Sequence, residues 1–102
     1  MARLAGDEEL FVDLVGFFFE DAPRLFAELR TAASERDVAA VRSSAHALKG
    51  LIAGCGGVRA AQAAQKVETA GYKGDLSKID ALLATLAAEF DLLTQALHRY
   101  RL

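Results

Sequence analysis

The chain has 102 residues, 53% of them hydrophobic, with one proline and a formal net charge of −2. That length supports a single core and excludes a separate nucleotide-binding or catalytic lobe, so residues 1–102 read as one domain. The slightly acidic balance contains no basic run, which argues against nucleic acid and against a charged membrane surface as partners.

Alanine and leucine dominate and no run alternates with period two, so the fold class is all-α. Asp7 is placed to cap a first helix, with Glu8 and Glu9 in an opening turn where carboxylates complement the helix dipole. Leu10, Phe11, Leu14, Val15 and Phe18 keep helical spacing to about Glu20. Val12, Phe17 and Phe19 widen that stripe beyond what one buried face requires, and Gly16 marks a bend or a close approach. Asp21-Ala22-Pro23 reads as a restart, because proline suits a first helical turn and not an interior. The second helix then carries Leu25, Phe26, Leu29, Ala32 and Ala33.

After a break over Ser34 to Asp37, Asp37 caps a third helix with a core stripe of Val38, Val41, Ala45, Leu48, Ile52 and Cys55. This helix ends in Gly54, Gly56 and Gly57, which offer left-handed caps and a tight reversal. A fourth, from about Val58 to Tyr72, presents the small residues Ala60, Ala63 and Ala64 with Val67, and Gly71 and Gly74 bracket its exit. Asp75 is placed to cap the last and longest helix, with Ile79, Leu82, Leu83, Leu86, Phe90, Leu93 and Leu97 as its stripe. Short connections favour antiparallel neighbours. The expected architecture is therefore an antiparallel up-down-up-down four-helix bundle with an additional N-terminal helix packed across one end.

On a helical wheel Val41, Leu48 and Ile52 cluster on one side of the third helix, and Arg42, His46, Lys49, Gly50 and Ala53 fall on the other. His46 thus points away from the core, where an imidazole nitrogen is a competent nucleophile toward phosphorus. A phosphoryl group placed there brings negative charge, and Lys49, one turn on, carries an ammonium to meet it. Gly50, with Ala39 and Ala53 above and below, leaves the approach to the ring open to a macromolecular partner. An ordinary surface histidine is the other reading of such a residue in isolation.

The segment His46-Ala-Leu-Lys49-Gly50, with Gly56 ten residues after the histidine, closely resembles the signature of histidine-containing phosphotransfer (HPt) domains of multistep phosphorelays. The resemblance extends to Gly6-Asp-Glu-Glu-Leu, to Phe18 through Ala22-Pro23, to the helix start at Asp37, and to Lys66-Val-Glu68 with the turn from Gly71 to Gly74. It implies a phosphocarrier, in which His46 accepts a phosphoryl group from a receiver-domain aspartyl phosphate and passes it to another receiver aspartate. Lys49 then lies near the phosphoryl oxygens, and Gly50 gives the receiver clearance. Glu68 falls where members of the family carry Glu or Gln to accept a hydrogen bond from the ring's Nδ1, which leaves Nε2 as the nucleophile. A solvated helix carboxylate is the other reading of Glu68.

Response-regulator receiver domains are the implied partners, with no cofactor bound by this chain and Mg²⁺ supplied by the receiver. No glycine-rich nucleotide motif is present, so autophosphorylation from ATP is not expected, and the chain suits equally a free shuttle and a domain of a hybrid sensor histidine kinase. The alternative function is a non-phosphorylated docking module that binds or inhibits a receiver or histidine kinase; the presence of both His46 and Lys49 argues against it. Leu51 and Ile52 stand where small residues are common in the family, and Gly57 adds a second glycine at the reversal. The exposed part of the first helix, Phe11 or Leu14 included, is a candidate apolar docking patch beside His46, with core packing the role of most of its aromatic residues.

His98 lacks the lysine-glycine context and reads as a surface residue. The single cysteine, Cys55, excludes an intrachain disulfide and a multi-cysteine metal site, and it suits a reducing compartment. No apolar stretch approaches the ~20 residues that span a bilayer, and Met-Ala-Arg-Leu-Ala-Gly-Asp lacks the pattern of a signal peptide. A cytoplasmic monomer is the expectation.

Overall fold

The computed structural model describes the backbone of residues 3–100 and the side chains of residues 9–100. Four helices follow one another, α1 (Arg3–Ser34), α2 (Val38–Gly54), α3 (Val58–Lys73) and α4 (Ile79–Leu97), and a 3₁₀ turn over His98–Tyr100 ends the described chain. Each packs antiparallel to the next, and α4 returns alongside α1 to close the bundle. No strand occurs among the described residues.

The expected restart at Pro23 does not occur, and the N-terminal segment is not a separate helix lying across one end. It is the first part of α1, which runs unbroken through Pro23. At 1.5 Å per residue its 32 residues span roughly 48 Å. The long axis of the molecule is likewise 48 Å. An interior proline costs about 3 kcal/mol. Against this, Val15, Phe18, Ala22, Phe26, Leu29 and Ala33 continue in phase at steps of three and four on both sides of Pro23, and all are buried. Burying a side chain the size of Phe18, Phe26 or Leu29 contributes about 1.5–3 kcal/mol each, so tertiary packing outweighs the local break. Asp7 and Glu8 fall inside this helix instead of at its start, and their side chains lie outside those described. Gly16 is exposed with open space around its missing Cβ, so it marks no close approach.

The phenylalanines explain how α4 is held. Phe90 sits between Phe18 and Phe26 with ring centroids 5.4 and 5.1 Å away, and Phe11 meets Tyr100 edge-on at 5.0 Å. Such pairs add to the area they bury. By contrast, α2 and α3 meet through Ala45, Ala60, Ala63, Ala64 and Gly71, all buried, so their backbones approach closely.

Asp37 caps α2 as expected, its side chain accepting from the Ala40 amide at 3.1 Å. All three turns between helices use paired amide bonds back to the helix end, with one residue in the left-handed region. Gly56 (φ 80°) and Gly74 (φ 70°) serve α2 and α3, and Arg36 (φ 55°) serves α1. At α2, Gly56 N–H donates to Ala53 O and Gly57 N–H to Ile52 O at 3.0 and 3.1 Å. Asp75 does not cap α4. Its carboxylate accepts from Ser77 N–H within the preceding turn, and α4 begins at Ile79. The longest helix is α1, not the last.

Ile52 and Gly57, both unusual for the resemblance, turn out to be complementary. A Cβ on Gly57 would stand 2.9 Å from Ile52 Cγ2 and 2.6 Å from Leu93 Cδ2, so the glycine makes room for the larger core residue. Cys55 is buried, its Sγ 3.5 Å from Leu14 O, and burial pushes its thiol pKa up.

Candidate functional site

Capped at Asp37 and closed by Gly56, α2 turns its apolar stripe of Val41, Ala45, Leu48 and Ile52 inward. Its opposite face therefore carries Arg42, His46, Gly50 and Ala53 outward, all exposed. The His46 side chain is 69% exposed. A Cβ added at Gly50 would meet nothing within 4 Å, so the surface one turn beyond the ring is open.

The adjacent helix supplies the partners. Glu68 on α3 accepts the hydrogen bond of His46 Nδ1 on Oε2 at 2.8 Å. That contact selects the tautomer with its proton on Nδ1 and leaves the Nε2 lone pair available. The other oxygen of Glu68, Oε1, is shut off from solvent and meets the Lys49 ammonium at 2.7 Å. Lys49 also donates to Gln65 Oε1 at 2.8 Å, and Gln65 Nε2 donates to Thr69 Oγ1 at 3.1 Å. One carboxylate thus bridges a histidine and a lysine across two helices. The Lys49 hydrogen bond holds the Glu68 carboxyl below the usual glutamate range, with the His46 hydrogen bond adding to the effect and partial burial opposing it.

Arg42, one turn before His46, holds its guanidinium over the Tyr72 ring at 5.0 Å from the centroid. It shares a shallow surface pocket with Ala39, Ser43, His46 and Glu68. A second groove, lined by Lys49, Gly50, Ala53, Val58, Ala61 and Gln65, lies on the other side of the lysine.

The residues singled out from sequence divide into two groups. His46, Lys49 and Glu68 meet in one bonded cluster, and Gly50, Arg42 and Ala53 surround it. Phe11 and Leu14 do not adjoin His46. Phe11 is half-buried against Tyr100, and Leu14 packs toward Gly54, eight residues or about 12 Å along α2 from the histidine. Among the described side chains of α1, the large apolar ones that are exposed are instead Leu10 and Phe17. His98 is exposed, its ring 5.1 Å from that of Phe19.

Two residues that shape the site, Gln65 within the cluster and Gly71 beside it, are not apparent from the motif. Gln65 precedes Glu68 by three positions on α3, a spacing that places both on one face and was the available signal. Gly71 was the other. It continues the buried stripe of Ala60, Ala64 and Val67 in phase, and a Cβ there would lie 2.9 Å from Arg42 N. Among the described residues no group of three His, Cys, Asp or Glu side chains could hold a metal ion, and no helix is long and apolar enough to cross a membrane.

A four-helix bundle that exposes one tautomer-fixed histidine beside a lysine on a two-helix face defines a helical phosphotransfer module. The sequence model of the Hpt domain matches residues 13–99. The chain belongs to the Hpt domain family, the phosphotransfer domains of two-component phosphorelays. It is also similar to the crystal structure of histidine-containing phosphotransfer protein B (HptB) from Pseudomonas aeruginosa PAO1, at 28% sequence identity and a TM-score of 0.81. That similarity covers 92% of this chain and 85% of HptB. No curated protein matches the chain.

Proposed function

We propose that this domain is a phosphocarrier whose His46 Nε2 accepts a phosphoryl group from a receiver-domain aspartyl phosphate and returns it to the aspartate of another receiver. The observation that carries this reading is the 2.8 Å bond from His46 Nδ1 to Glu68 in a ring that is otherwise open. As Nε2 attacks, the P–N bond forms and the P–O bond to the receiver carboxylate breaks. The proton stays on Nδ1, and Glu68 balances the positive charge that develops on the ring. The reverse step returns the phosphoryl group to a carboxylate by the same path.

Lys49 keeps Glu68 ionised and orients it, so its contribution to the nucleophile runs through the carboxylate. Gly50 and Ala53 leave the receiver's approach unobstructed. The Mg²⁺ that activates an aspartyl phosphate is the receiver's, and this domain works as a monomer in the cytoplasm.

Purified domain mixed with a panel of phosphorylated receivers in Mg²⁺ is expected to gain acid-labile, base-stable label. The label should vanish in His46→Gln and persist in His98→Gln. Label that survives in His46→Gln overturns the assignment, and stable receiver binding without any transfer establishes a docking module instead.

A further inference from the structure

The motif assigns the phosphoryl charge to Lys49, yet Lys49 is already committed. Its ammonium lies 2.7 Å from Glu68 Oε1 and 2.8 Å from Gln65 Oε1, and only 26% of the side chain is exposed. With His46 neutral, Glu68 and Lys49 cancel, so the bonded cluster offers an incoming phosphoryl group no net positive charge. Drawing Lys49 away would strand the Glu68 oxygen that has no other partner.

Arg42 has no such commitment. No carboxylate among the described residues pairs with it, and its guanidinium rests on the face of Tyr72, itself 71% exposed. It precedes His46 by four residues, a spacing that sets their Cβ atoms about 6 Å apart on one helix face. Both line the same pocket, together with the Ser43 hydroxyl and Glu68. A guanidinium offers planar paired donors matched to phosphoryl oxygens.

We propose that Arg42 binds the phosphoryl group on His46, leaving the Tyr72 ring to pair with its oxygens, while Lys49 stays on Glu68. This rests on His46 being the acceptor. Tyr72 is the resting seat of the guanidinium: it holds Arg42 beside the pocket through a contact worth little enough at an exposed site to be exchanged for a dianion. The backbone at Arg42 is fixed by its close approach to Gly71, so only the side chain moves.

The test uses phosphoramidate as donor, which needs no receiver. The Nε2–P bond forms as the donor's P–N bond breaks and ammonia leaves. The phosphorylated domain is then titrated by ³¹P NMR. In the wild type the guanidinium should lower the second pKa of the phosphoryl group, and Arg42→Gln should raise it by about half a unit, allowing for solvent screening. Arg42→Lys should recover part of the difference, and Lys49→Gln should change it less than Arg42→Gln does. An unchanged titration in Arg42→Gln overturns the proposal. So does a Tyr72→Leu variant that reproduces the Arg42→Gln shift, since Arg42 would then act through the ring. Receiver exchange is measured separately: a domain that phosphoramidate charges but no receiver discharges defeats the relay reading while the Arg42 titration still decides this one. Failure of phosphoramidate to label His46 removes both.

Discussion

Gly71 of α3 lies directly against the backbone of Arg42 on α2, where a Cβ would stand 2.9 Å from the Arg42 nitrogen and 3.0 Å from its Cα. The contact is backbone on backbone, so no side-chain rotation can relieve it. It fixes the separation of the two helices within one turn of the bond between His46 and Glu68. Gly71→Ala is therefore expected to destabilise the domain by about 1–3 kcal/mol, the usual range for overpacking. Denaturant unfolding measures the loss, and a lengthened Nδ1–Glu68 bond should appear as a changed His46 ¹⁵N signature. A fully stable Gly71→Ala protein would show that the helices can separate freely.

Gly50 makes the opposite case, because its missing Cβ faces open space. Gly50→Ala should stabilise α2 by up to about 1 kcal/mol through helix propensity. The same substitution should slow phosphoryl exchange with a receiver while leaving the rate with phosphoramidate unchanged, since only the larger partner needs the clearance. Equal slowing with both donors would place the effect on the imidazole instead.

For Glu68 the decisive comparison is between two variants. Glu68→Gln keeps a carbonyl acceptor for Nδ1–H and should preserve the tautomer, whereas Glu68→Leu should release it and slow transfer by about 10–100-fold. The ¹⁵N shifts of His46 report the tautomer directly. If both variants retain wild-type transfer, the bond across the helices is incidental to reactivity.

The charge state of Glu68 also links the site to stability. Its folded pKa lies below the ordinary glutamate value of 4.5, chiefly through the Lys49 hydrogen bond. A depressed carboxyl contributes stability that is fully present above the unfolded value and is lost as pH falls through the folded one. Lys49→Met, which removes that bond, should therefore be less stable than wild type by a constant amount above about pH 4.5, with the gap narrowing at lower pH. Paired unfolding curves from pH 2 to 7 measure it, and a gap that widens with acid contradicts the sign.

Arg36 ends α1 in a left-handed conformation that costs a side-chain-bearing residue about 1–2 kcal/mol. Its guanidinium donates a long 3.4 Å hydrogen bond to Leu76 O. Arg36→Gly should stabilise the domain by roughly 0.5–1 kcal/mol after the extra backbone entropy of glycine is counted. Thermal unfolding tests it, and a lower midpoint would show that the Leu76 contact matters more than the strain.

What is local was legible in the sequence. Asp37 caps α2, and Gly56 and Gly74 close α2 and α3, because caps and left-handed residues act within one turn of themselves. The periodic stripe of α2 alone turned His46, Gly50 and Arg42 outward, since residues opposite a buried face have nowhere else to go. Tertiary structure decided the rest. Pro23 reads as a break by propensity, yet the aromatic packing of α4 against Phe18 and Phe26 carries α1 straight through it. The partner of Lys49 is a matter of which α3 residues stand opposite, and the spacing of His46 and Lys49 on their own helix contains no information about that. The same close approach at Gly71 that sets the helices together puts Glu68 between the two and gives the histidine its tautomer, while no carboxylate among the described residues pairs with Arg42.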